Sequence, residues 1–345
     1  MQLRKLARTG VDVGIYSLGG AAFGTTAERG DAQRIVHEAL DAGINLIDTS
    51  DRYADGESER IIGEAIRGRR ADVLIATKVG ATPGGPPNRM GASRLWIKQA
   101  VERSLRRLDT DYIDLYQLHH PFPDTEFEET MDVLSDLVRE GKVRYIGTSN
   151  HQAWQLVEAR AVSERRRLQR FVSEQTLYSL LNREIEQDLA EAARRYEFGL
   201  LIYGPLSGGL LTGKYKAGQP ADPRSRAARF GDSPLGRSFD PNLPENRRKF
   251  EIIAQLQSLA EQAGMTLPHL AAAFIRAHPA VTSVIVGPRT PRQLQDYLAG
   301  AQIRLGADLL DAIDDIVSPG STINDAAPGW TPEWLSDPRL RRRND

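Results

Sequence analysis

Gly43-Ile44-Asn45-Leu46-Ile47-Asp48-Thr49-Ser50-Asp51-Arg52-Tyr53 joins the end of a helical pattern to a short apolar run that stops on an acid. Gly43 closes the amphipathic stretch Asp31–Ala42, Ile44–Ile47 reads as a buried strand, and Tyr53 stands five residues past Asp48. The unit recurs. Val73–Thr77 runs into Lys78 and Ile113–Leu118 into His119, so three strand-like runs each end on an ionisable side chain. In a closed barrel of alternating strands and helices, the carboxyl ends of successive parallel strands converge on one mouth. An acid, an ammonium, an imidazole and a phenol would meet there, a set suited to giving a proton to a carbonyl oxygen.

Outward from this stretch the same alternation covers most of the chain. Leu3–Leu6, a turn at Thr9-Gly10, and Val11–Val13 predict a hairpin. Buried strands are then expected at Ile15–Leu18, Ile44–Ile47, Val73–Thr77, Ile113–Leu118, Val143–Ile146, Phe171–Ser173, Leu200–Tyr203 and Ser283–Val286. Helical patterns lie between them, among them Asp31–Ala42, Glu57–Arg67, Ser93–Leu108, Phe127–Glu140 and Glu186–Arg195. Short apolar strands separated by single helices argue for parallel βαβ units, and eight of them favour a closed (β/α)8 TIM barrel over an open doubly wound sheet. Thr212 to Asn246 breaks the rhythm: it is rich in Pro, Gly, Arg and Asp, shows no clear periodicity, and reads as a long functional cover. The expected organisation is one domain over residues 1–345, with its core at about 13–300 and a Pro- and Gly-rich tail at 318–345.

Composition narrows the clients. Lys+Arg 45 against Asp+Glu 46 leaves a formal net charge of -1, so no global field draws the chain to nucleic acid or an acidic membrane surface. No apolar stretch approaches the roughly 20 residues that span a bilayer, and Met1-Gln2-Leu3-Arg4-Lys5 lacks the apolar core of a signal peptide. With Cys 0, disulfides and thiolate metal sites are excluded, and no metal site is expected. The expectation is a cytoplasmic protein acting on a small molecule, with an oligomer not indicated.

The string Asp48-Thr49-Ser50-Asp51-Arg52-Tyr53, followed by Gly56-Glu57-Ser58-Glu59, resembles the Asp-Thr-Ala-x-x-Tyr signature of the aldo-keto reductase family. Ala76-Thr77-Lys78, Asp114-Leu115-Tyr116-Gln117-Leu118-His119, Gly147-Thr148-Ser149-Asn150, Glu174-Gln175 and Tyr203-Gly204-Pro205-Leu206 follow in family order. The resemblance runs from about Leu3 to Leu298, and Gly208-Gly209-Leu210-Leu211-Thr212-Gly213-Lys214-Tyr215 is similar to the bacterial and potassium-channel-β branches. Several motifs at family spacing are specific where one alone would be weak.

The resemblance implies a catalytic set of Asp48, Tyr53, Lys78 and His119. A free phenol has a pKa of about 10 and needs a neighbouring cation to act as an acid near neutrality. Lys78 supplies that cation, Asp48 holds it, and His119 orients the carbonyl. The hydride comes from a cofactor, since no side chain donates one. The resemblance also implies NADPH/NADP+ contacts from Gly20, Ala21 and Asp48, and from Ser149, Asn150 and Gln175 around the nicotinamide carboxamide. Tyr203 offers a stacking face, the segment Gly204 to Gly208, with Pro205, Leu206 and Ser207 between them, offers backbone amides to the pyrophosphate, and Lys214 and Arg224 could close over it. In Val286-Gly287-Pro288-Arg289-Thr290-Pro291-Arg292-Gln293-Leu294-Gln295-Asp296, the matches are Gly287, Arg289 for the 2′-phosphate, Gln293 and Asp296. No Gly-x-Gly-x-x-Gly fingerprint occurs. Two positions depart from the family: Tyr297 stands where an Asn usually follows the acid, and Ala54 where a Gly often follows the tyrosine.

Each residue also has a structural alternative. Asp48-Thr49 could cap the next segment, Lys78 could be an edge charge, Tyr53 a loop aromatic, and Arg289 a surface charge. All of these would have to hold at once, in order, on consecutive strand ends. The expected function is therefore NADPH-dependent reduction of an aldehyde or ketone, possibly a keto sugar, with Tyr53 as proton donor. One alternative is a redox-sensing regulatory subunit that binds NADPH, like the potassium-channel β proteins, against which stands the absence of a long N-terminal arm. Another is a Schiff-base aldolase with Lys78 as nucleophile, which would leave Tyr53 and the cofactor motifs idle.

Overall fold

Leu3–Lys5 (β1) and Asp12–Gly14 (β2) pair antiparallel, with Leu3 opposite Gly14, and form the expected hairpin. The computed structural model describes residues 1–80, 87–216 and 225–324, together with positions 330, 331, 335, 337 and 339. Eight parallel strands follow the hairpin: Tyr16–Gly19 (β3), Leu46–Asp48 (β4), Leu74–Val79 (β5), Ile113–Leu118 (β6), Val143–Ser149 (β7), Phe171–Leu177 (β8), Gly199–Tyr203 (β9) and Val281–Val286 (β10). Each pairs with the next, and β10 returns to β3, so the sheet closes into a (β/α)8 TIM barrel. All eight expected strands are present.

Helices cover the outside. Arg29–Asp41 (α1), Glu57–Ala65 (α2), Arg94–Leu108 (α3), Phe127–Arg139 (α4), Ala153–Arg166 (α5) and Leu189–Tyr196 (α6) each connect two barrel strands. Ser93 caps α3 by accepting from the Trp96 amide, as a serine at a helix entrance should. The stretch from Thr212 to Asn246 is not a bare loop. It contains the short helices Arg226–Phe230 (α7) and Pro234–Arg237 (α8) and a 3-10 turn at Pro244–Asn246. Helices of four or five residues have no room for an amphipathic repeat, which is why periodicity does not reveal them. The chain continues through Arg247–Gln262 (α9), Leu267–Ala277 (α10), Pro291–Ala299 (α11) and Ala307–Ile316 (α12).

Strand alternation divides the core in two. Ile47, Ile75, Tyr116, Ile202 and Val284 face the helices in the larger apolar cluster. Leu46, Ala76, Leu115 and Leu201 form a smaller inner cluster that takes in Leu6 and Val13 from the hairpin. The hairpin thus plugs the amino-terminal end of the barrel. Asp48, Lys78, Gln117 and Tyr203 lie two residues further along the same four strands, on the same inner face. A polar layer therefore rests on an apolar one.

Candidate active site

Asp48 ends β4 and Lys78 lies on neighbouring β5; their strands pair with Asp48 opposite Ala76, which brings the two inward side chains together. Lys78 Nζ donates to Asp48 Oδ2 at 2.7 Å and to the Thr49 carbonyl at 2.9 Å. A third contact reaches the Tyr53 hydroxyl at 3.4 Å. The other carboxylate oxygen accepts from Gln175 Nε2 at 2.7 Å and from Gln117 Nε2 at 3.3 Å. Lys78 is 0 % and Asp48 3 % exposed, so both charges depend on these partners for what water would otherwise provide. Burial works to lower the Lys78 pKa; attraction by Asp48, and then by Tyr53, more than offsets it and leaves the value above that of an ordinary lysine.

His119 follows β6 and is buried. Its ring meets Tyr53 edge to face at 5.8 Å and stacks on His120 at 4.7 Å. Burial, and then the Lys78 ammonium, push its pKa well below the usual histidine value, so the ring is neutral at pH 7. Its Nδ1 lies 3.0 Å from the Ser50 hydroxyl. Asn150, just after β7, donates to the His119 carbonyl at 3.1 Å and to Ser149 Oγ at 3.0 Å, and its own Oδ1 accepts from the Tyr203 hydroxyl at 2.7 Å. The ends of β6, β7 and β9 are thereby tied into one polar chain.

Tyr53 is aimed by a turn of unusual backbone. Ala54, Asp55 and Gly56 follow it with φ of 49°, 53° and 85°, three left-handed residues in succession. Gly56 has a second constraint, since a Cβ there would stand 2.6 Å from Arg107 Cδ. Arg107 passes that point to reach the fully buried Glu59, which also accepts from Thr77 at 2.7 Å. Asp51 lies against this pair, and burial, then the negative charge of Glu59, raises its pKa to about 7. The opening of α2 is in this way braced from behind the tyrosine.

The expected cofactor residues fall into three groups. Gly20 and Ala21 follow β3; the Gly20 amide donates to the Asp48 carbonyl at 2.7 Å, and a Cβ on Gly20 would stand 2.8 Å from Ser58 Oγ. The apolar runs Val143–Ile146 and Phe171–Ser173 put Ser149 and Gln175 just past their strands, and the structure places both inside them, because β7 and β8 run longer than their apolar cores. Gly204, Pro205, Leu206, Ser207 and Gly208 follow β9 beside Tyr203. Leu206 at φ -103° followed by Ser207 at φ 46° is the right-then-left pairing of an anion nest, with the Ser207 amide itself taken by the Gly204 carbonyl at 2.8 Å. A Cβ on Gly209 would stand 3.3 Å from Lys214 Nζ, so that ammonium lies over the same turn. Arg224 is outside the described residues.

The third group surrounds α11. Gly287 and Arg289 precede it, Thr290 caps it by accepting from the Gln293 amide, and the Gln293 side chain accepts from the Arg289 amide at 2.8 Å. Asp296 lies 3.5 Å from His269 Nε2. Tyr297 packs edge-on against Tyr16 at 6.1 Å, which gives that residue a place in the core. Among the described residues no cluster of three or more His, Cys, Asp or Glu is arranged to hold a metal ion, and no helix is long and apolar enough to cross a membrane.

Sequence reasoning left Gln117, Ser50 and the Glu59–Arg107 pair without roles. For Gln117 the signal was available: it shares a strand face with Leu115, as Lys78 does with Ala76. Ser50 and Arg107 needed the fold, because their partners come from distant strands and helices.

A family model described as "Aldo/keto reductase family" matches residues 13–318. A relative named "Uncharacterized oxidoreductase YrpG" from Bacillus subtilis (strain 168) is 37% identical over 338 residues, covering 94% of this chain and 99% of the relative. "Aldo-keto reductase YhdN" of the same organism is 36% identical over 86% of this chain and 87% of the relative. A "Probable voltage-gated potassium channel subunit beta" of Arabidopsis thaliana is 33% identical over 92% of this chain and 97% of the relative.

Proposed function

This chain belongs to the aldo/keto reductase family of oxidoreductases, and from that premise we propose that it reduces an aldehyde or ketone to the alcohol with NADPH, Tyr53 giving the proton. The observation that carries this reading is the Tyr53 hydroxyl 3.4 Å from a buried Lys78 ammonium that Asp48 holds at 2.7 Å. When Tyr53 gives its proton to the carbonyl oxygen, the negative charge left on the phenol meets a cation already in place. Asp48 keeps that cation from drifting. The neutral His119 beside Tyr53 directs the oxygen by a hydrogen bond rather than by charge.

The donor set fits a nicotinamide dinucleotide. The Leu206–Ser207 nest and Lys214 suit a pyrophosphate, while Arg289, at the amino end of α11 where the helix dipole favours anions, suits a 2′-phosphate. When bound, the cofactor supplies the hydride. NADPH oxidation over a panel of aldehydes, ketones and keto sugars tests the proposal. Turnover of some member is expected, and Tyr53→Phe should lower that rate by about a hundredfold or more while leaving NADPH binding intact. A Tyr53→Phe enzyme that turns over like wild type rejects the assigned donor.

A second reading has support from the Arabidopsis relative, whose name places it with a potassium channel. There the same site would bind NADPH and report redox state to a partner. Fast aldehyde turnover with a freely exchanging cofactor favours the enzyme; a cofactor retained through gel filtration, with negligible turnover, favours the sensor.

A further inference from the structure

The Ser50 hydroxyl lies 3.0 Å from His119 Nδ1 and 3.3 Å from Asp51 Oδ1, and it accepts from the Arg52 amide at 3.3 Å. Ser50 and His119 are both buried, so bulk water does not satisfy these atoms in place of the protein. A hydroxyl has one proton to give. A neutral imidazole likewise has one N–H, and the hydrogen bond made by one ring nitrogen decides which nitrogen carries it. His119 Nε2 bonds to no described residue, whereas Nδ1 has Ser50.

We propose that Ser50 is the positioning residue of His119: its hydroxyl donates to Nδ1, fixes the ring as the Nε2–H tautomer, and presents that N–H to the substrate oxygen. The last step rests on the reductase reading above. The shorter arm favours His119, and Asp51 is the competing acceptor. If the Ser50 proton turns to Asp51, the serine oxygen offers Nδ1 only lone pairs, and the imidazole proton moves to Nδ1. Nε2 then accepts rather than donates. It can receive an alcohol O–H but gives nothing to a carbonyl. Ser50 thus selects the polarity that His119 shows to the substrate.

The test begins with protein labelled with 15N at histidine, at a pH where His119 is neutral, with the His119 signals assigned by their loss in His119→Gln. Wild type should show an unprotonated Nδ1 and a protonated Nε2. Ser50→Ala should show mixed tautomers and a kcat for carbonyl reduction about tenfold lower, with NADPH binding unchanged, and Ser50→Thr, which keeps the hydroxyl on the same Cβ, should restore both. A protonated Nδ1 in wild type overturns the proposal without any variant having to fold. So does a Ser50→Ala protein with wild-type tautomer and kcat. If no carbonyl compound is turned over, the reductase reading fails while the tautomer spectrum still decides the role of Ser50.

Discussion

Ala54 holds a φ of 49° immediately after Tyr53, a conformation that brings an L side chain too close to its own carbonyl at a cost of about 1–2 kcal/mol. Glycine has no such cost. Ala54→Gly should therefore raise stability by about 1 kcal/mol net of the added freedom of its unfolded chain, read as a higher urea midpoint with an unchanged slope. A lower midpoint would show that the alanine methyl contributes packing that outweighs its strain. The position was visible in the sequence as a departure from the family, but its backbone was not: positive φ follows from the whole turn, including Arg107 crossing Gly56. Asp48, Lys78 and His119 were legible because each closes an apolar run. Ser50 was not, because its partner is 69 residues away, just past the end of β6.

At the scale of elements, the strands were readable because most of their residues on both faces are buried, which gives each a short apolar core. Their ends were less so. β7 and β8 continue through Thr148-Ser149 and Glu174-Gln175, polar residues that remain paired with the neighbouring strand. The hairpin earns its place through Leu6, 2 % exposed within the inner cluster, and through Arg4, which donates to the Val281 and Arg276 carbonyls at 2.6 and 2.7 Å. Leu6→Ala should cost about 2–5 kcal/mol, measured by denaturant unfolding, with the rate per folded molecule unchanged because the plug lies at the end opposite the site. A loss well under 1 kcal/mol would mean that the hairpin merely rests on the barrel. In the segment before α11, Arg289→Ala should weaken NADPH binding far more than NADH binding, since only NADPH carries the 2′-phosphate. Equal losses in a fluorescence titration would remove Arg289 from that role.

For the molecule as a whole, buried acids set how stability follows pH. Burial raises the Glu174 pKa to about 8 and that of Asp51 to about 7. A raised carboxyl pKa means that the unfolded chain releases its proton first, so the contribution is full below about 4 and is lost as pH climbs through the folded value. His120 and His151, both lowered to about 4 mainly by burial, act in the opposite sense, but only below their unfolded value near 6.5. Between about 6.5 and 8 the acids therefore dominate, and stability should fall with pH. Glu174→Gln should flatten that fall in urea midpoints taken across the window; an identical slope would show that Glu174 titrates normally. Strand order carries a different consequence, one of timing. β3 needs β10, and some 260 residues separate them, so a chain emerging from the ribosome holds every group of the catalytic set long before it can join the two edges of its sheet. Until Val281–Val286 is released, β3 and β9 expose unpaired backbone of the kind that recruits other chains. Synthesis halted just short of that last strand would leave a protein with its chemistry written and its greatest hazard lying open.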